Sequence, residues 1–152
     1  MDAKDRKILD LLQQNAMLTA AEVAEQVGLT TTPCWRRIQR LEEQGYITNR
    51  VALLDRQKMN VGITVFVSVR ANRHASDWVD RFREVVRNTP EIIEAHRLSG
   101  DTDYLLRVVV PSIESFDQVY KQMITSLEFT DVSSSFSMEE LKYTTAIPIT
   151  YI

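Results

Sequence analysis

Three arginines, Arg36, Arg37 and Arg40, lie in the run Thr30-Thr31-Thr32-Pro33-Cys34-Trp35-Arg36-Arg37-Ile38-Gln39-Arg40-Leu41-Glu42-Glu43-Gln44-Gly45 and have the chemistry to bind phosphate. A guanidinium stays charged and offers its donors in a fork that matches phosphate oxygens and base edges. The run reads as one helix. Thr30, Thr31 and Thr32 offer N-cap hydroxyls, Pro33 suits the first turn, and Gly45 can take the left-handed conformation that stops a helix. No acid precedes Glu42, so the cations stand beside a helix N-terminus whose free N–H groups already attract phosphate. Cys34, Ile38 and Leu41 form the buried stripe, which leaves Thr31, Thr32, Arg36, Arg37 and Arg40 on or beside the exposed surface. Trp35 sits at the boundary, suited either to the core or to packing on a sugar-phosphate backbone.

The preceding residues position this helix. Thr19-Ala20-Ala21-Glu22 is a capping box that opens a short helix, and Val27-Gly28-Leu29 supplies a turn before Thr30. Two helices joined by a short glycine-containing turn are a helix-turn-helix signature. Upstream, Asp5 can cap a helix whose Ile8, Leu9, Leu11 and Leu12 recur at helical spacing. The same three helices could instead serve protein contacts, with the arginines merely solvating a face, because fold alone does not determine function.

Tyr46 to Leu54 alternates β-formers with polar residues, as a short strand or wing would, and residues 55–60 form a polar connector. Beyond it the pattern predicts a strand at 61–71 and a helix at 76–88 capped by Ser76. Further strands are predicted at 91–98 and 104–110, a helix opening at Pro111-Ser112, and a last strand at 132–140. The turn Ser99-Gly100-Asp101-Thr102-Asp103 makes strands two and three a hairpin. The fold class is therefore α+β. A helix-turn-helix (winged-helix-like) domain at 1–48 is joined by a strand or linker at 49–60 to a ferredoxin-like βαββαβ (ACT-like) domain at 61–152. In an isolated copy one sheet face would stay uncovered and apolar, which points to a homo-oligomer.

Composition narrows the classes. The 152 residues are 44% hydrophobic and 26% charged, with no apolar run long enough for a membrane span and no signal-peptide core after Met1, so a cytoplasmic protein without membrane partners is expected. Net charge is −3, while residues 1–50 hold seven Lys/Arg against seven Asp/Glu, so any DNA contact must be local. The one cysteine, Cys34, excludes an intrachain disulfide and reads as a buried apolar residue. An enzyme is poorly supported: His74 and His96 lack spaced partners, four glycines form no phosphate loop, and Asp101-x-Asp103 lacks the further oxygens of a calcium loop. No catalytic, metal or cofactor site is expected.

Several ordered motifs then converge on a family. Asp2-x-x-Asp5-x-x-Ile8-Leu9, Thr31-Thr32-Pro33-Cys34, Arg37-x-x-Arg40-Leu41-Glu42-x-x-Gly45-x-Ile47, Ser99-Gly100-Asp101-Thr102-Asp103-Tyr104-Leu105-Leu106 and Met138-Glu139-Glu140-x-Lys142 together resemble the leucine- and asparagine-responsive (Lrp/AsnC) transcriptional regulators over nearly the whole chain. The resemblance implies a regulator that binds double-stranded DNA, assembles into dimers and on to tetramers or octamers, and responds to an amino-acid effector. It assigns DNA contacts to Thr30, Thr31, Thr32, Pro33, Trp35, Arg36, Arg37 and Arg40. It assigns an effector pocket to Leu98, Gly100, Asp101, Asp103 and Tyr104, completed by Ser134, Ser135 and Phe136. The chemistry is compatible, since an acidic turn suits an ammonium and free N–H groups near a glycine suit a carboxylate, although Gly and Asp also populate turns for conformational reasons alone. Trp35 and the Ser133-Ser134-Ser135-Phe136 run depart from many relatives and resemble a branch that includes regulators of cysteine catabolism, so cysteine is the first effector to consider. The competing expectation is an architectural DNA-compacting protein that ignores metabolites.

Overall fold

In the computed structural model, which describes residues 1–71 and 77–152, Asp2 rather than Asp5 caps the first helix, α1 (Ala3–Gln14). Asp2 accepts the N–H of Asp5 at 2.8 Å and Asp5 accepts the N–H of Asp2 at 3.0 Å, so two helix-end donors are satisfied reciprocally. Placing Asp5 inside the helix turns its carboxylate toward α3 (Thr31–Glu43), where Arg37 and Arg40 each donate to it at 2.7 Å. Between them lies α2 (Ala20–Val27), whose Thr19–Glu22 capping box and left-handed Gly28 match the sequence reading. The threonine hydroxyls expected to cap α3 do not: Thr30 occupies the cap position without a side-chain hydrogen bond. Ile8, Leu12, Val23, Val27, Cys34, Ile38 and Leu41 close the core of this three-helix unit.

The chain divides into two units, Met1–Leu53 with Leu141–Ile152, and Leu54–Glu140. Residues 141–152, which the sequence reading left with the second domain, lie in the first because α1 holds them. The Gln13 side-chain amide bonds both the N–H and the C=O of Ile147, at 3.0 and 3.1 Å, and Arg6 donates to the Ile152 carbonyl at 2.7 Å. No strand or wing forms at 46–54. An extended segment needs a neighbouring strand for its N–H and C=O groups, and within one copy none is offered. Val51, Leu53 and Leu54 are left 65%, 63% and 68% exposed.

The second unit consists of β1 (Ile63–Ala71), α4 (Trp78–Asn88), β2 (Ile92–Arg97), β3 (Tyr104–Val110), α5 (Ile113–Ser126) and β4 (Phe129–Phe136). The antiparallel sheet has the order β2-β3-β1-β4, as a split βαβ arrangement requires. The register places Val65, Val67 and Val69 opposite Val108, Leu106 and Tyr104, and these residues join Trp78, Phe82, Phe116, Val119 and Met123 of the helices in one core. Ser112 caps α5 through the N–H of Ser115, whereas Ser76, the cap expected for α4, lies outside the described residues. The last strand begins before 132 because Phe129 packs edge-on against Trp78 and pairs with Ala71 beyond a bulge. It ends at Phe136 rather than continuing to 140. The second sheet face is mixed rather than uniformly apolar: Thr64, Phe66, Ser68 and Arg70 alternate along it, and Arg107 pairs with Glu94 at 2.6 Å.

Asp5 is only 2% exposed. Burial alone would raise its pKa, but the N–H of Asp2 and the two guanidiniums outweigh it and hold the carboxyl below its ordinary value. Asp2 is lowered to about 2, first by the N–H of Asp5 and then by Arg37. A depressed folded-state pKa adds stability above the unfolded value of 3.8 and loses it as pH falls through the folded value, which is about 2 for Asp2 and below 3.8 for Asp5. Asp5→Asn should therefore cost about 2 kcal/mol at neutral pH, the order of a charged hydrogen bond, and the gap to wild type should shrink on acidification. Urea unfolding across that pH range checks this; a gap of equal size at neutral and acid pH would contradict it.

Candidate functional site

The first turns of α3 present Thr31, Thr32, Pro33, Trp35 and Arg36 to solvent, while Cys34 beneath them is fully buried. Trp35 is 51% exposed, so it belongs to the surface and not to the core. Helical spacing stacks Thr31 and Thr32 one turn above Trp35 and Arg36, giving hydroxyls, an aromatic ring and a guanidinium on one patch. The three arginines separate into two kinds. Arg37 bonds Asp2 at 2.6 Å and Asp5 at 2.7 Å, with its side chain 27% exposed, and Arg40 bonds Asp5. Arg36 is exposed and makes no ion pair among the described residues. Sequence spacing missed the two aspartates as anchors, because nothing along the chain shows that residues thirty-odd positions apart will meet. Burial pushes the Cys34 thiol up despite nearby Arg37, which leaves it a weak nucleophile.

The residues assigned to the effector pocket fall into two groups. The hairpin loop is tied to β1: Asp103 donates its N–H to Val69 at 3.0 Å, and its carboxylate accepts the N–H of Ala71 at 2.9 Å. Leu98 closes the loop by donating to the Asp103 carbonyl at 2.8 Å, and Gly100 has φ +117°, a conformation that favours glycine. Leu98 and Asp101 are exposed, while Tyr104 packs on Phe82 with ring centroids 4.6 Å apart. On the other side of β1, Ser134 pairs with Val67 and Phe136 with Val65, and Phe136 meets Phe116 edge-on at 5.4 Å. Ser135, opposite Phe66, points to the other face. Tyr104 pairs with Val69, further along β1 and on its opposite edge, so a single copy does not bring the loop and Ser134 to Phe136 together. Among the described residues no three His, Cys, Asp or Glu side chains cluster as a metal site. His96 lies 3.7 Å from Glu94, and His74 lies outside the described residues.

Comparison with known proteins agrees with both units. Residues 1–48 match a family described as winged helix-turn-helix DNA-binding, and residues 64–147 match the Lrp/AsnC ligand binding domain. The chain is 52% identical to the glutamate uptake regulatory protein of Zymomonas mobilis, over 98% of this chain and 91% of that protein. It is 56% identical to an AsnC family transcriptional regulator from Agrobacterium tumefaciens of known crystal structure, with a TM-score of 0.95 over 100% of this chain and 99% of that one. A Neisseria meningitidis transcriptional regulator, solved as a complex with L-Met, is 36% identical with a TM-score of 0.95, covering 99% and 98% of the two chains. These similarities are to regulators and not to enzymes.

The division among the arginines has a measurable consequence. Arg36→Ala should weaken binding to all DNA sequences and lower the salt slope by about one unit for a phosphate contact, with thermal stability unchanged. Arg37→Ala should lower stability as well, because it takes one guanidinium from a buried carboxylate. Fluorescence anisotropy at several salt concentrations, beside thermal melts, checks both. Wild-type affinity and slope in Arg36→Ala would remove Arg36 from the interface.

Proposed function

The chain belongs to the Lrp/AsnC family of transcriptional regulators, and from that premise we propose that it binds operator DNA as a homo-oligomer whose assembly responds to an amino acid bound between copies. The observation that carries the DNA reading is the exposed start of α3, where Thr31, Thr32, Trp35 and Arg36 stand clear of the core beside a helix N-terminus. Arg37 and Arg40 reach the backbone from their anchored positions. Such work takes place with the DNA, in the cytoplasm.

Oligomerisation is supported by the exposed apolar segment around Val51, Leu53 and Leu54, which a second copy can cover. An effector between copies is supported by the separation of the two groups of pocket residues within one copy, and by the L-Met complex of the Neisseria relative. In this reading Asp103 pairs with the ligand ammonium. The backbone near Gly100 receives the ligand carboxylate, and Ser134 and Phe136 of the neighbouring copy bound its side chain, whereas Ser135 lies on the opposite sheet face. Neither the relatives' names nor the geometry singles out cysteine, so the proposed class is amino acids as a whole.

A ligand can shift assembly only through different affinities for two states, and a coupling of about 1–3 kcal/mol would change operator affinity roughly 5- to 150-fold. Titration calorimetry across the twenty amino acids should find at least one that binds wild type and fails to bind Asp103→Ala, with operator affinity shifting in its presence. Binding of operator DNA with no response to any amino acid would replace this reading with that of an architectural DNA-compacting protein. Light scattering showing only a monomer would contradict the assembly.

A further inference from the structure

We infer that the unit Leu54–Glu140 holds a second ligand site, for a short-chain dicarboxylate, in the cavity between α4 and the free edge of β2. The cavity has a cause in the sequence. On the helix-covered face β1 contributes Val65, Val67 and Val69, and β3 contributes Tyr104, Leu106 and Val108, all large enough to meet the helices. Edge strand β2 contributes Ala95 opposite Leu106 and Arg97 opposite Tyr104. The small Ala95 leaves the space beneath α4 unfilled, and an opening of about 290 Å³ remains. That lies just below the volumes of small-molecule pockets, roughly 300–1,000 Å³.

Its chemistry is two-sided. Phe82, 3% exposed, and Tyr104, tilted against it with ring centroids 4.6 Å apart, make an apolar floor that suits a short hydrocarbon segment. Arg83 and Arg87, one turn apart on α4, and Arg97 with His96 on β2 line opposite sides of that floor. Among the described residues no acid lines the cavity. The unit as a whole carries ten Lys/Arg and fourteen Asp/Glu, so a wall of bases without acids runs against its average charge. Two of these bases already meet a carboxylate, Arg83 with Asp80 at 3.1 Å and His96 with Glu94 at 3.7 Å, while Glu94 pairs more closely with Arg107 at 2.6 Å, so the charge open to a ligand is that of Arg87 and Arg97. Among the described residues, Arg87 and Arg97 make no ion pair. Like charges one helical turn apart repel each other, and a bound anion relieves that. Guanidinium forks on two walls facing across an apolar floor match two carboxylates joined by a short carbon chain. The site shares only Tyr104 with the amino-acid pocket proposed above, and it needs no second copy.

Glutarate is the probe, because it lacks the ammonium that the amino-acid site requires. Calorimetric titration of the full-length protein should give saturable binding. Arg87→Gln/Arg97→Gln should weaken it by about tenfold or more, each lost charged pair being worth up to about that factor. Ala95→Leu, which fills the cavity and leaves every arginine in place, should abolish it. Absence of binding up to about ten millimolar would overturn the proposal. So would undiminished affinity in both variants, or inorganic phosphate binding as tightly as glutarate, which would make the cavity a general anion cleft. None of these results bears on whether an amino acid binds at the hairpin loop.

Discussion

A carboxylate shut away from water is costly unless it is paired, and Asp5 is paired twice, with Arg37 and Arg40, while Asp2 shares the same Arg37 Nη1. This cluster ties the start of α1 to the middle of α3, and the apolar contacts among Ile8, Val23, Cys34, Ile38 and Leu41 close around it. Desolvation offsets much of the attraction in any buried ion pair, so its main effect is directional. Together with the apolar stripe of Cys34, Ile38 and Leu41, the two guanidiniums hold one face of α3 inward and leave its first turns to solvent. They also divide the work. Arg36 keeps its full charge for an external anion, whereas the fields of Arg37 and Arg40 are offset by the aspartates, which limits indiscriminate attraction to DNA.

In the second unit, valines and large apolar residues seal the sheet wherever β1 and β3 meet the helices, and packing thins at β2 and at the hairpin loop. Both ligand proposals fall in those thin places. Asp103 has a constructional part there, since its backbone and carboxylate fasten the loop to β1. The chain passes between the two units twice, near Leu53 and near Leu141, and Gln13 and Arg6 grip the returning tail.

Elements whose information is local were legible in the sequence. The Thr19–Glu22 capping box, the strand at 104–110 and the amphipathic stripes of α3 and α4 were all readable because the deciding residues lie within a turn or two of one another. Features decided by distant partners were not. Asp5 looked like a cap because the arginines that bury it come some thirty residues later. Tyr46 to Leu54 has strand chemistry, yet a strand needs a neighbour that one copy lacks. Trp35 was ambiguous because a large aromatic at a stripe boundary is decided by what packs over it, and half of its surface stays open to solvent. The cavity beside Ala95 was invisible, since it results from a small residue placed at the edge of the sheet by pairing with β3.

The most direct test of the central claim, that the Asp5 cluster holds α3 for DNA, is a crystal structure of the protein on operator DNA. The account requires the start of α3 in the major groove, with Thr31, Thr32, Trp35 and Arg36 against bases and backbone and Arg37 still bonded to Asp5. A complex in which α3 lies outside the groove, or in which Arg37 has left Asp5 to read a base, would contradict it.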